Sequence, residues 1–230
     1  MLYLTGDIHG NTRTALGAIL KNNITSDDVL ILLGDVGLNY YGADQMDRKR
    51  KIRLNRMEIP IFCIHGSHEE RPFNIPSYHE AVWHGGTVYV EDDFPNLLFA
   101  KDGEVFNLEG QKAIVVGGAY SADKFQRLRY GWNWFPDEQP SDEIKKRTEE
   151  SLDACDWKVD LVLSHTCPQK YTPVETLISG LDESTVDRST EEWLDAIENR
   201  LDYKAWYCGH WHIDKHIDRM HFLMRNVEML

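Results

Sequence analysis

No stretch of this 230-residue chain stays apolar for the length of a membrane span, and the first residues carry neither a basic segment nor the apolar core of a secretory leader. A soluble cytoplasmic protein is the expectation. Cysteine is scarce: Cys63, Cys155, Cys167 and Cys208 form no CxxC pair. Cys63 and Cys208 sit in apolar strand-like runs and read as buried free thiols in a reduced compartment. Cys167 follows His165 closely, but no orienting partner for a Cys–His nucleophile is evident. Positive charge is also in short supply. With 25 basic against 38 acidic residues the net charge is −13, which argues against long-range attraction to nucleic acid or an anionic membrane. A local basic pocket for a phosphate remains compatible with it. No repeat, low-complexity tract or flexible linker appears, so residues 1–230 are read as one domain.

What the chain does have is a series of apolar strands, each followed by a short polar loop. Met1-Leu2-Tyr3-Leu4-Thr5 runs into Gly6-Asp7-Ile8-His9-Gly10. Asn11 is positioned to cap a helix to about Asn22. Val29 to Leu33 is apolar throughout, as for a strand buried on both faces, and ends in Gly34-Asp35-Val36-Gly37. A basic helix from Asp44 to Met57 reads as a solvated face. Pro60-Ile61-Phe62-Cys63-Ile64 then leads to His65-Gly66-Ser67-His68-Glu69-Glu70-Arg71. Three strand–loop–helix units in succession predict a mostly parallel sheet, with ligands gathered beyond its carboxyl edge.

From Val82 to Gly117 short strands alternate with turn residues, predicting an antiparallel meander in a second sheet packed on the first. Residues 118–140 show no regular pattern. They hold Lys124, Gln126, Arg127, Arg129, Trp132, Trp134 and Phe135, and read equally as a substrate-capping loop that clamps phosphate and stacks a ring, or as a surface loop whose aromatics pack down. A helix with a capping-box start follows at Ser141. Asp160 to Ser164 is a strand ending in His165, and Lys204 to Cys208 is another, ending in Gly209-His210-Trp211-His212. Residues 213–227 read as a closing hairpin.

Five strands thus end in groups that bind metals: Asp7 and His9, Asp35, His68, His165, and His210 with His212. A lone strand-end histidine is usually a packing residue; five such clusters in one chain are a constellation. Carboxylate mixed with imidazole, without thiolate, suits Mn, Fe or Zn at a catalytic site. Donors in this number suit two ions, and an ion pair about 3.5–4 Å apart can stabilise both the attacking and the leaving oxygen of an in-line displacement.

Gly6-Asp7-Ile8-His9, Gly34-Asp35, Gly66-Ser67-His68-Glu69, His165 and Gly209-His210-Trp211-His212 resemble, in order, the five motifs of the calcineurin-like metallophosphoesterases. The resemblance implies a four-layer α/β/β/α sandwich of two mixed sheets flanked by helices. It implies two divalent ions, Mn foremost with Fe, Zn or Ni as alternatives. Asp7, His9 and His212 would hold the first, His165, His210 and the Ser67 position the second, and Asp35 would bridge them. It further implies attack of a metal-bridging hydroxide on phosphorus, with His68 assisting the leaving oxygen and Glu69 as a supporting carboxylate. Asp35 and His68 are therefore the catalytic candidates.

Two features depart from the family pattern. Ser67 stands where the third motif carries Asn, and a neutral serine hydroxyl is the weaker donor, so weakened binding of the second ion and reduced turnover are expected. The phosphate-binding arginines of the protein-phosphatase branch are missing from Gly34-Asp35-Val36-Gly37-Leu38-Asn39 and from His65. Arg71, Arg127 and Arg129 are candidate substitutes, and Trp132 and Trp134 are candidate base-stacking residues. A small phosphodiester or nucleotide is the favoured substrate. Alternatives are a protein phosphatase and a catalytically impaired binding module; a nuclease is disfavoured by charge.

Overall fold

A computed structural model describes residues 1–42, 44–176 and 183–230. In chain order the first elements are β1 (Leu2–Thr5), α1 (Thr12–Asn22), β2 (Val29–Leu32), α2 (Gln45–Asn55), β3 (Ile61–Cys63), β4 (His79–Trp83) and β5 (Gly86–Val90). There follow β6 (Leu97–Ala100), β7 (Val105–Leu108), β8 (Gln111–Val116), α3 (Lys124–Tyr130), α4 (Asp142–Ala154) and β9 (Leu161–Ser164). The chain closes with α5 (Ser189–Glu198), β10 (Ala205–Cys208), β11 (Lys215–Ile217), β12 (Met220–Phe222) and β13 (Glu228–Met229). No helix among the described residues is long and apolar enough to cross a membrane.

The strands form two mixed sheets. One has seven strands in the order β13-β1-β2-β3-β6-β5-β4, with β1, β2, β3 and β6 parallel and the flanking pairs antiparallel. The other has six, in the order β11-β12-β10-β9-β8-β7, parallel from β12 to β8 and antiparallel at both edges.

Alternation along each strand explains the unbroken apolar runs. Val29, Ile31 and Leu33 point between the sheets, among Phe62, Val115, Leu163 and Tyr207. Leu30 and Leu32 point the other way, onto Ala15 and Ile19 of α1 and Leu54 of α2. On the far side, Val162 and Trp206 pack against Leu152 of α4 and Leu194 and Ile197 of α5. Each central strand is thus apolar on both faces because each face meets another layer. Truncating one such side chain, for example Ile31 to Ala, costs about 2–5 kcal/mol. The four-layer α/β/β/α arrangement expected from sequence is the one observed.

Several local expectations change. The 82–117 meander is not one sheet: β4, β5 and β6 extend the first sheet, while β7 and β8 start the second. Turn chemistry marks where strands end but not which neighbour they choose. The irregular 118–140 stretch contains α3, which has no buried residue and hence no apolar period to announce it. On α2 the basic face is only partly solvated. Lys51 is 2% exposed, with Nζ 2.6 Å from Glu91 Oε2, and Asp47 is fully buried, accepting the Tyr41 N–H. Asn11 makes no side-chain cap, whereas Ser141 Oγ accepts from Ile144 N as its motif predicts. Residues 175–200, whose sequence suits helix and loop, include α5, and their part 177–182 lies outside the described residues. All four cysteines are free, with Cys63, Cys167 and Cys208 buried.

Candidate metal centre

The carboxyl ends of β1, β2, β3, β9 and β10 open onto one edge of the paired sheets, and the polar loops after them meet there. Their backbone is unusual. His9, Asp35, His210 and His212 all have positive φ, at 44°, 43°, 65° and 51°. Left-handed non-glycine residues cost of order 1 kcal/mol or more each, and they cluster where a site over-determines them. Two glycines let the loops interlock. At Gly34 (φ +94°) a Cβ would stand 2.0 Å from His165 Nδ1, and at Gly66 it would stand 1.9 Å from the Asp35 amide nitrogen.

Asp7, His9 and His212 form the first group. His212 Nε2 is 3.2 Å from Asp7 Oδ2 and 2.9 Å from His9 Nε2, so two ring nitrogens face each other across the gap. Two donors at right angles, each about 2.1 Å from a common ion, lie about 3 Å apart. Asp7 Oδ2 also accepts the His210 N–H at 2.9 Å, while its buried Oδ1 has no hydrogen-bond partner among the described residues. The Asp7 carboxylate therefore ties the first and last loops of the site together, 203 residues apart in sequence.

Asp35 sits at the heart of the second group. Ser67 Oγ is 3.4 Å from Asp35 Oδ1 and 3.4 Å from His165 Nε2, and His165 Nε2 is 3.5 Å from Asp35 Oδ1. The centre of that nearly equilateral triangle is about 2 Å from each corner, a bond length for a divalent transition ion to oxygen or nitrogen. His165 is fully buried, and its Nδ1 donates to the Leu33 carbonyl at 3.0 Å, which turns Nε2 into the triangle. His210 packs its ring edge-on to His165, with centroids 4.9 Å apart. Burial first, and the neighbouring His165 next, hold the His210 imidazole well below its usual range, so it is neutral and able to donate a lone pair. Burial disfavours an ionised Asp35, but the surrounding His165 and His68 hold its carboxyl well below the ordinary range. A buried carboxylate kept ionised among imidazoles, with an orphaned oxygen beside it on Asp7, fits divalent cations.

His68 stands just outside these groups. Its Nδ1 is 3.0 Å from Asp35 Oδ2 and faces the centre; its Nε2 is 3.2 Å from Asp123 Oδ1. Burial opposes protonation of His68, but Asp35 on one side and Asp123 on the other push its pKa up to about 10. Asp123 is gripped from behind by Arg127, whose Nε donates at 2.8 Å and whose Nη1 reaches Tyr40 Oη and the Asn133 carbonyl. Burial of Asp123 is outweighed by these bonds to His68 and Arg127, which bring its pKa down to about 2. Glu69, expected as a supporting carboxylate, is fully buried. Oε1 accepts from Val36 N and Gly66 N, and Oε2 from Gly37 N, all at 3.1 Å, so one side chain joins the second and third loops.

A cleft of about 270 Å³ opens over Asp35, His68, His210 and His212, and its far wall is Tyr120, Ser121 and Asp123 together with Asp187, Arg188 and Glu191. The 118–140 stretch thus does reach the site, but through its first residues. Arg127 lies behind Asp123. Arg129 and Trp132 are not among the lining residues: Arg129 lies 6.0 Å from the Tyr130 ring, and Trp132, 52% exposed, packs on the same ring. Trp134 donates to Glu138 and receives Lys124 over its face, 4.3 Å from the ring centre. Tyr120 and Trp211 bring their rings to the cleft, and Trp211 Nε1 is buried without a hydrogen-bond partner among the described residues. Arg71 is turned into the fold: 2% exposed, it bonds Asp102 Oδ2 at 2.5 Å and the Asp137 carbonyl at 2.7 Å. Asp102 in turn accepts from Gly117 N, so Arg71 braces the start of the long segment instead of lining the cleft. Asp123 carries no sequence signature, because its role depends on α3 folding back over His68.

No curated protein matches the chain in sequence. Twelve solved protein chains match its fold. Among them, the crystal structure of TT1561 of Thermus thermophilus aligns with a TM-score of 0.52 at 12% sequence identity, covering 97% of this chain and 87% of that one. At that identity the likeness concerns fold alone. The family profile described as calcineurin-like phosphoesterase matches residues 2–214, a span that takes in every loop of the centre from Asp7 to His212. By that match over most of its length, the chain belongs to the calcineurin-like phosphoesterase family.

Proposed function

We propose that this protein hydrolyses a small phosphoester, of phosphodiester or nucleotide type, at a centre of two divalent ions with Mn foremost. The observation that carries this reading is the triangle of Asp35, Ser67 and His165 donors beside the Asp7–His9–His212 group. Asp7, His9 and His212 would hold one ion, Ser67, His165 and His210 the other, and Asp35 stands between. Two such ions supply Lewis acidity to the phosphoryl oxygens and lower the pKa of water.

The chain's own residues do the rest. Asp123 anchors His68 Nε2, which orients the protonated Nδ1 toward the reacting centre, where it passes its proton to the leaving oxygen. The cleft of about 270 Å³ lies at the small end for ligand sites, which favours a compact substrate over a folded phosphoprotein. Arg188 lines this cleft together with Trp211 and Tyr120.

The test is a screen of metal-depleted protein, resupplied with Mn²⁺, against bis-p-nitrophenyl phosphate, p-nitrophenyl phosphate and nucleotides. Metal-dependent turnover of the diester or a nucleotide is expected. Full metal loading without turnover of any phosphoester would replace this reading by that of a binding module.

Two variants probe the details. Ser67→Asn places a carbonyl oxygen where the hydroxyl now sits at the triangle, and is expected to raise occupancy of the second ion and diesterase rate about tenfold; unchanged metal content and rate would dismiss Ser67 as the weak corner. Asp123→Asn removes one of the two carboxylates, Asp35 being the other and the stronger, that hold His68 protonated, and with it the charged anchor of Nε2. It is expected to slow hydrolysis of an alkyl phosphoester about a hundredfold while leaving p-nitrophenyl esters, whose leaving group needs no proton, within about threefold. Equal losses on both substrates would exclude proton donation by His68.

A further inference from the structure

A second cluster of donors lies apart from the centre. His216 on β11 and His221 on β12 are directly opposed in the closing hairpin, so both imidazoles leave the same face, with ring centroids 4.3 Å apart. Glu228 of β13 reaches between them: its Oε1 is 2.6 Å from His216 Nε2 and its Oε2 is 2.9 Å from His221 Nδ1. The three residues come from both sheets. β11 and β12 edge the six-stranded sheet, whereas β13 is hydrogen-bonded to β1 of the seven-stranded one, with Glu228 opposite Leu4.

We infer that His216, His221 and Glu228 form a separate binding site for a divalent transition ion of the Zn²⁺ class, which ties the C-terminal strand to the β11–β12 hairpin. One donor atom from each residue lies within 4.8 Å of the other two, so a small contraction of the cluster seats a single ion. A ring nitrogen that bonds a carboxylate carries the proton. An arriving ion takes the lone pairs of the same two nitrogens as the proton of each moves to the other nitrogen of its ring, and it keeps the carboxylate as third ligand. Two imidazoles and one carboxylate suit Zn²⁺, Ni²⁺ or Cu²⁺ and are a poor set for Mg²⁺ or Ca²⁺, which demand oxygen. The side chains are 58%, 19% and 22% exposed for His216, His221 and Glu228, so an ion reaches them from solvent and water completes its shell. Tyr207 backs the His221 ring at 4.5 Å and limits its rotation. This site does not depend on the phosphoesterase reading, because it shares no residue with the centre.

The experiment strips the full-length protein with chelator and titrates it with Zn²⁺. Bound ions per chain are counted by plasma mass spectrometry, and the melting temperature is followed in parallel. The wild type is expected to bind one more ion than His216→Ala or Glu228→Gln, and Asp35→Asn is expected to retain that extra ion. Each of His216→Ala and Glu228→Gln should weaken this equivalent at least tenfold while metal-loaded phosphoester turnover stays at the wild-type level. Zn²⁺ should raise the melting temperature of Asp35→Asn and fail to do so in the double variant Asp35→Asn/His216→Ala. Identical stoichiometry and affinity in wild type and His216→Ala, or equal thermal shifts in the last pair, would reduce the cluster to a hydrogen-bonded His–Glu–His contact. Matching melting temperatures of the metal-free proteins establish that the variants fold.

Discussion

Asp35→Asn is expected to lower metal-supported phosphoester turnover by roughly a thousandfold, equivalent to about 4 kcal/mol of transition-state stabilisation. The substitution keeps the shape of the side chain and removes its charge. Asp35 takes the backbone N–H of His68 at 2.8 Å, faces Ser67 and His165 at one corner of the triangle, and has His9 Nδ1 3.8 Å away, so donors of both groups adjoin it. A neutral amide attracts neither of two adjacent cations strongly, and its NH₂ turns donors toward the buried imidazoles. The measurement is kcat/KM on a diester together with metal content per chain. A variant that retained both ions and a rate within tenfold of wild type would mean that the ions bind elsewhere.

The largest expected effect on stability belongs to Glu69→Ala, measured on the metal-depleted protein so that ion binding does not enter. Removing this carboxylate strands the N–H groups of Val36, Gly37 and Gly66 in a fully buried position. Each stranded donor costs about 1–3 kcal/mol, so a loss of at least about 3 kcal/mol is expected in urea unfolding, with an unchanged slope. Burial and the nearby charge of Asp35 raise the Glu69 carboxyl pKa to about 8 against the pull of those three N–H groups, so the fold disfavours its ionisation. Glu69→Gln keeps one acceptor oxygen, able to serve Val36 and Gly66, and should cost less than the alanine variant. A loss below about 1 kcal/mol for Glu69→Ala would show that the loops hold their shape without this clamp.

The chain's order of elements was readable because hydrophobic runs and turn residues report local geometry. Val29 to Leu33 had to be a strand with two covered faces, and Gly6, Gly34, Gly66 and Gly209 marked where close loops follow strands. Where burial leaves no period, the reading failed. α3 has no fully buried residue, and Lys51 and Asp47 look like surface charges until Glu91 and the Tyr41 amide are brought to them by the fold. The same holds for Arg71, whose partner Asp102 is 31 residues away in a different sheet connection.

For the centre, the sequence alone determined the inventory of donors and the strand ends that carry them, because residue type and local backbone are properties of short segments. Tertiary structure decided the rest. It decided that His212 shares Asp7 with His210, that Ser67 and His165 close one triangle on Asp35, that Asp123 stands behind His68, and that His216, His221 and Glu228 meet at all. Those distances depend on how two sheets are stacked and in what register, and packing of that kind is settled by contacts between residues far apart in the chain.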